Sequence, residues 1–332
     1  MDSPAALPTP PGLPAPPVLS AAEDQALRQR SNWMGAWLVL HAWALIGGAM
    51  ALVAFFPNPL TWLLGVLVVG NRQLGLAILM HDAAHRLLFA NAAWNDRVGH
   101  WLCGAPVGAS LAQYRPYHLS HHRHTQQPED PDISLSAPFP ITRKSFWRKT
   151  VRDLLGVTGY QRRAAQFRAA AQGAGSWREA IVLVLRKERA FFLSNLVLLL
   201  ILALTGQAWL FLSLWVLPLL TWYQWVSRVR NIAEHALVGD ANDPLRNTRT
   251  TLAGPIARLL VAPYWVNYHL EHHLFVFTPC WKLAQAHQLL VRRGLAAQME
   301  IGSGYLEVLR HATSRIKDDR PSGGRRSVPS QI

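Results

Sequence analysis

The chain of 332 residues is poor in cysteine, in acidic side chains and in charge altogether. Its two cysteines, Cys103 and Cys280, exclude a disulfide-stapled scaffold and point to a reducing compartment. Charged residues make up only 16%, where soluble domains carry about 25%. Nineteen Asp+Glu face 33 Lys+Arg, a formal net charge of +14. Such an excess first raises nucleic acid as a partner. Here it coexists with a mean hydropathy of +0.09, which turns the reading toward a membrane. The Ala-, Leu- and Pro-rich first 19 residues lack a basic n-region and a cleavage site, so no secretory signal is expected there. There is no internal repeat, no nucleotide-binding glycine fingerprint and no His-Pro-Gly-Gly motif of the kind that binds haem. Histidine and tryptophan, fourteen of each, are abundant.

Long uncharged runs organise the chain. Trp33 to Phe56 is uncharged and long enough, as a helix, to cross a hydrocarbon core of about 30 Å. Pro57-Asn58-Pro59 breaks it, and a second apolar run extends from Leu60 to Met80, interrupted by Asn71-Arg72-Gln73. From Ala190 to Ser227 there is again no charge. One helix of that length would measure about 57 Å, too long for a single crossing, so a turn at Thr205-Gly206-Gln207 is expected to divide it. The expectation is an all-α membrane protein with four transmembrane helices in two hairpins, at about 33–56, 60–80, 190–204 and 208–227. Segments 81–189 and 228–313 would form a helical cap. Residues 1–30 and 314–332 would be a lead-in and tails, the Pro-rich start and the polar end disordered. Ile141 to Arg189 holds twelve Lys+Arg against three Asp+Glu. By the positive-inside rule, this puts both termini and the cap in the cytoplasm. Phe146, Trp147, Val151, Leu154 and Leu155 among those basic residues suit a helix lying on anionic lipid or, equally, a solvated bundle.

The histidines fall at repeated spacings. His81-Asp82-Ala83-Ala84-His85 is an HxxxH pair; on a helix, i and i+4 share a face. Alone, such a pair is often chance. His118-Leu119-Ser120-His121-His122 and His269-Leu270-Glu271-His272-His273 are both HxxHH, each projecting three imidazoles to one side. Asn231 and His235 are again i and i+4. Structural histidines have no reason to recur at one metal-ligand spacing. Nine imidazoles exceed what one metal can hold, so two metals are implied, of a kind that imidazole suits: Fe, Cu, Ni or Zn. The Glu-x-x-His pairs of soluble carboxylate di-iron bundles are missing. His41, His100, His287 and His311 have no spacing partner and read as structural; His124 falls outside the pattern.

These four motifs, with Asn267-Tyr268 ahead of the last, resemble those of the membrane fatty acid desaturase superfamily, over about residues 33–290. The resemblance implies a stem of four membrane helices under a cytoplasmic cap that holds two irons. It makes His81, His85, His118, His121, His122, His235, His269, His272 and His273 iron ligands, with Asn231 contacting one metal through water. It implies O₂ as co-substrate, a lipid acyl chain as substrate and insertion of a double bond as the reaction. A hydroxylase or ketolase of a lipid or carotenoid is the alternative, since His122 to Asp132 is similar to carotenoid ketolases. Because no cytochrome or nucleotide motif is present, a separate ferredoxin-like or cytochrome b5-like donor with its reductase is expected, and the basic face could steer it. Asp82 foremost, then Glu234, Glu271, Asp130 and Asp132, are candidates to orient the imidazoles. Arg72 lies nine residues before His81, about 13 Å down a helix. Charge at that depth is costly, so either Arg72 and Gln73 line a substrate cavity or the span starts late. A metal transporter would need ligands near the bilayer midplane. A zinc hydrolase on His81 and His85 would need Glu where Asp82 stands.

Overall fold

The structure is a computed structural model, described over residues 19–316; the outer parts of both expected tails lie outside the described residues. It is mostly helical. The helices are α1 (Ala21–Arg28), α2 (Asn32–Phe55), α3 (Pro59–Ala84), α4 (Ala92–Val98), α5 (Leu111–Arg123), α6 (Ile133–Ser136), α7 (Arg143–Leu154) and α8 (Val157–Ala170). They continue with α9 (Trp177–Lys187), α10 (Arg189–Leu204), α11 (Leu217–Leu220), α12 (Trp222–His235), α13 (Pro255–Leu260), α14 (His269–Leu274), α15 (Leu283–Arg292) and α16 (Tyr305–Ala312). Two π-helical turns, Gly99–Gly104 and Phe211–Val216, interrupt the regular pattern.

Two helices, α2 and α3, are long and apolar enough to cross a membrane. Their hairpin is written locally. The Asn58 side chain accepts the N–H groups of Leu60 and Thr61 at 3.0 and 3.1 Å, and Pro59 sits where its missing N–H costs nothing. The apolar window of α3 is 72% buried and that of α2 only 39%. So α3 is the central post, packed against α2, the Gly99–Gly104 turn and α12. At one crossing, a Cβ on Gly99 would lie 2.3 Å from the Cβ of Ala83, so only glycine permits the approach.

The second expected hairpin differs from its sequence reading. The turn at Thr205-Gly206-Gln207 is present, with Gly206 at φ +73°. Before the turn, α10 spans about 24 Å at 1.5 Å per residue. The run after the turn is broken into a π-helical turn, α11 and α12, with Thr221 at φ −116°, ψ −88° between the last two. Pro218 removes one helical donor. Side chains take over nearby carbonyls: Thr221 Oγ1 donates to Leu217 O at 2.7 Å, and Gln224 Nε2 to Leu219 O at 2.9 Å. The all-α expectation also missed a parallel pair of two-residue strands, β1 (Thr250–Thr251) and β2 (Ile301–Gly302). They are too short to leave an alternation in the sequence. Around them, Thr251 N–H donates to Asn267 O and tethers the start of the last histidine motif.

Candidate metal centre

Four elements bring the nine predicted histidines together. α3 runs past its apolar stretch and carries His81; His85 caps its end. α5 carries His118, His121 and His122, α12 ends at His235, and α14 begins at His269. The nitrogens form two groups: His81, His85, His118, His122 and His272 in one, and His121, His235, His269 and His273 in the other. Within each group they lie within 4.8 Å of one another.

The grouping refines the sequence reading. Each HxxHH motif was expected to send three imidazoles to one place. Instead His118 and His122 join one group and His121 the other, while His269 and His273 join the second and His272 the first. Adjacent helix positions are about 100° apart, so the fourth and fifth residues of each motif face opposite sides of the stripe. The two motifs thereby lace the two groups together.

Nitrogen geometry tests whether metals fit. Nε2 of His118 lies 2.9 Å from Nε2 of both His85 and His122. Nε2 of His272 lies 3.0 Å from that of His122, and Nε2 of His269 lies 2.9 Å from that of His235. Neutral imidazoles have one N–H each, so these contacts cannot all be good hydrogen bonds. Imidazole–metal bonds of about 2.1 Å at right angles would place neighbouring nitrogens about 3 Å apart. The donor set therefore fits two metal ions. Burial, followed by the neighbouring imidazoles, holds His118, His122, His269, His272 and His273 well below the usual histidine range. His235 is held low in the same way. His85 is brought down to about 3, by burial and then by Arg115. Rings kept neutral have lone pairs available to a metal.

The carboxylates take unequal parts. Asp130 accepts from His121 Nδ1 at 2.7 Å, which leaves Nε2 of that ring as the free lone pair. Glu234 stands 3.6 Å from His269 Nδ1 and pairs with Arg230 at 2.8 Å; burial, opposed by Arg230, raises its carboxyl to about 7. Asp132 lies 3.8 Å from His121 and accepts from Tyr117. Glu271 accepts from His287 Nδ1 at 2.6 Å and from Thr250. Asp82, expected foremost, is 3.8 Å from Nδ1 of His81 and instead accepts the Cys280 N–H at 2.9 Å.

Three participants were missed in the sequence. His287 braces Glu271 from α15, sixteen residues away, with no spacing to betray it. Tyr114 stacks on His118, centroids 5.0 Å apart; its place one turn before His118 was the available signal. Arg230 pairs with Glu234 one turn on. His41 Nδ1 lies 3.1 Å from the Tyr264 hydroxyl, outside both groups.

A cavity of about 350 Å³ reaches the first group at His81 and is also lined by Asn231, Leu74, Ala77 and Tyr114. Arg72 and Gln73 lie just before that stretch of α3 and are buried. Gln73 Nε2 donates to Trp215 O at 2.8 Å; Arg72 reaches Arg258 O at 3.4 Å and stands over the Tyr264 ring.

Paired polyimidazole sites on helices beside long apolar helices define a class of metal-dependent membrane-associated oxidoreductases. A sequence model of that class, the fatty acid desaturase family, matches residues 57–302. The chain belongs to this family. It is 26% identical over 270 residues to the dihydrorhizobitoxine desaturase of Bradyrhizobium elkanii, covering 78% of this chain and 75% of that protein. It is 26% identical over 258 residues to the beta-carotene ketolase of Paracoccus sp. (strain PC1), covering 76% and 88%. It is 26% identical over 277 residues to the sn-1 oleoyl-lipid 12-desaturase of Synechocystis sp., covering 77% and 74%.

Proposed function

We propose that this family member is an O₂-dependent di-iron membrane enzyme that inserts a double bond into a lipid acyl chain. The observation that carries the reading is the pair of imidazole groups with nitrogens about 3 Å apart. His81, His85, His118, His122 and His272 would hold one iron. His121, His235, His269 and His273 would hold the other, with Asn231 reaching it through water. Bound there, the two irons supply the activation of O₂.

The chain's own residues supply orientation and exclusion of water. Asp130 fixes the tautomer and tilt of His121. Buried Glu234 pairs with the partly exposed Arg230 beside His269. Glu271, clamped by His287 and Thr250, holds α14 in place. The 350 Å³ cavity would admit the acyl chain along Leu74 and Ala77. Arg72 and Gln73 are not among its walls and are held by Arg258 O and Trp215 O. The reaction balances when one O₂ takes two electrons from the substrate's C–H bonds and two from a donor, leaving as water. That donor is a ferredoxin-like or cytochrome b5-like protein with its reductase, approaching a basic cytoplasmic face. In this reading α2, α3 up to Met80, α10 and the broken run from 208 to 227 cross the bilayer, and the metal centre and both termini lie on the cytoplasmic side.

Insertion of oxygen into a lipid or carotenoid is a second reading, favoured by the matched share, 88%, of the ketolase relative. Expression in a host lacking the protein, followed by lipid mass spectrometry, separates the two. New double bonds support desaturation; a gain of one oxygen supports hydroxylation. No product with a competent donor under air, or product undiminished in His121→Ala, overturns the assignment.

A further inference from the structure

A second cavity, of about 410 Å³, opens between the start of α5, the end of α4 and the α9–α10 junction. None of the nine clustered histidines lines it. Its walls carry Arg97, Lys187 and Arg189, three exposed cations without an ion-pair partner among the described residues. Its fourth cation, Arg115, is already neutralised by Asp96 at 2.5 Å. Glu188 is engaged by Gln166 Nε2 at 2.6 Å. The cavity also receives the N-terminus of α5, where Ser110 makes no side-chain cap and Leu111 and Ala112 line the wall. Uncapped N–H groups at a helix start favour an anion. Nδ1 of His100, buried and without a hydrogen-bond partner, borders the same space.

Trp101 belongs both to this cavity and to an apolar one of about 480 Å³. The apolar cavity runs along α10 from Leu193 to Ile201 and is walled opposite by Trp43 and Leu102. The eight helical rises between Leu193 and Ile201 give it a length of about 12 Å. Helix α9, which delivers Lys187, buries no residue and exposes Trp177, Ile181, Val182 and Leu185 between its basic residues. A basic helix with an exposed apolar face lies at a lipid surface, which sets Lys187 and Arg189 at headgroup depth.

We infer that this composite cavity binds one phospholipid with an anionic headgroup, distinct from the lipid that reacts. The phosphate sits among Arg97, Lys187, Arg189 and the α5 N-terminus, and one acyl chain lies in the groove along α10. The site rests on the reading that α10 lies in the bilayer. The apolar groove beside the cationic one distinguishes a phospholipid from a free phosphate.

The test is native mass spectrometry of the full-length protein in detergent. It is titrated with phosphatidylglycerol, with phosphatidylcholine of the same acyl chains, and with inorganic phosphate. One phosphatidylglycerol is expected, bound at least tenfold more tightly than phosphatidylcholine. The double variant Arg97→Glu/Arg189→Glu should lose that preference, and Leu198→Trp should weaken both lipids by filling the groove. Arg178→Glu, on α9 outside the cavity, should bind as the parent does. Equal binding of the two lipids, an unaffected double variant, or displacement of the lipid by inorganic phosphate at equal concentration overturns the site. Leu200→Cys in sealed vesicles isolates the underlying reading. If an impermeant maleimide labels it, α10 is outside the bilayer; if it is protected and the lipid preference is absent, only the lipid site fails.

Discussion

Replacing Asp130 tests whether the second imidazole group holds a metal. Asp130 Oδ1 accepts from His121 Nδ1 at 2.7 Å and from the Asp132 N–H at 2.8 Å, while Oδ2 accepts from the Gln126 N–H at 2.9 Å. Asp130 is 4% exposed and His121 2%, so water cannot take over. Asp130→Ala leaves the ring free to rotate or change tautomer and orphans two backbone donors. Loss of a carboxylate that orients a metal-bound histidine costs about 10–100-fold in metal affinity, or about 1.4–2.7 kcal/mol. Asp130→Asn keeps one acceptor oxygen but sets an amide N–H₂ toward one of the former donors, and belongs near the lower figure. The assay is chelator competition on the purified full-length protein, with retained iron counted by mass spectrometry. Because only the four-imidazole group contains His121, Asp130→Ala should release its metal in two steps, the first near half occupancy. A chelator midpoint within twofold of the parent would refute the argument. So would simultaneous loss of both metals from a variant that still melts cooperatively.

Gly99→Ala sets a Cβ 2.3 Å from that of Ala83, beside His85. It should lower stability by about 1–3 kcal/mol through overpacking, read as a drop in Tm; an unchanged Tm counts against the close crossing. Arg249 is buried and donates to the carbonyls of Ala233 at 3.2 Å, Ala236 at 2.9 Å and Leu237 at 2.8 Å, around His235. Arg249→Met strands those carbonyls and frees the partly exposed Glu300, which Arg249 also pairs with at 3.1 Å. It should cost about 1–3 kcal/mol and reduce iron content; full iron content at unchanged Tm would be inconsistent with its clamp. The metal-free protein should weaken in acid. The unfolded imidazoles titrate near 6.5 while His85 is held to about 3 in the fold. The unfolded chain thus takes up more protons between those values. Stability is complete above about pH 6.5 and falls as pH drops, by at most about 1.4 kcal/mol per unit for this ring. Denaturant midpoints at pH 7.5 and 5.5 that coincide would contradict this.

The chain's own order of residues specified much. The α2–α3 hairpin follows from an uncharged run, Asn58 and two prolines, all local signals. The nine histidines were identifiable because helical periodicity turns spacing into a shared face, a property that needs no knowledge of the fold. Three things depended on tertiary structure. Which group each ring joins was fixed by how α3, α5, α12 and α14 converge, since His121 and His122 are neighbours in sequence yet join different groups. Which carboxylate bears on which ring was decided by packing, as Asp130 and not Asp82 makes the short bond. The meeting of Arg97, Lys187 and Arg189 at the start of α5 arises from segments far apart along the chain. Spacing can encode only contacts made within one helix; contacts between helices are set by burial and shape, which depend on segments far apart in sequence coming together.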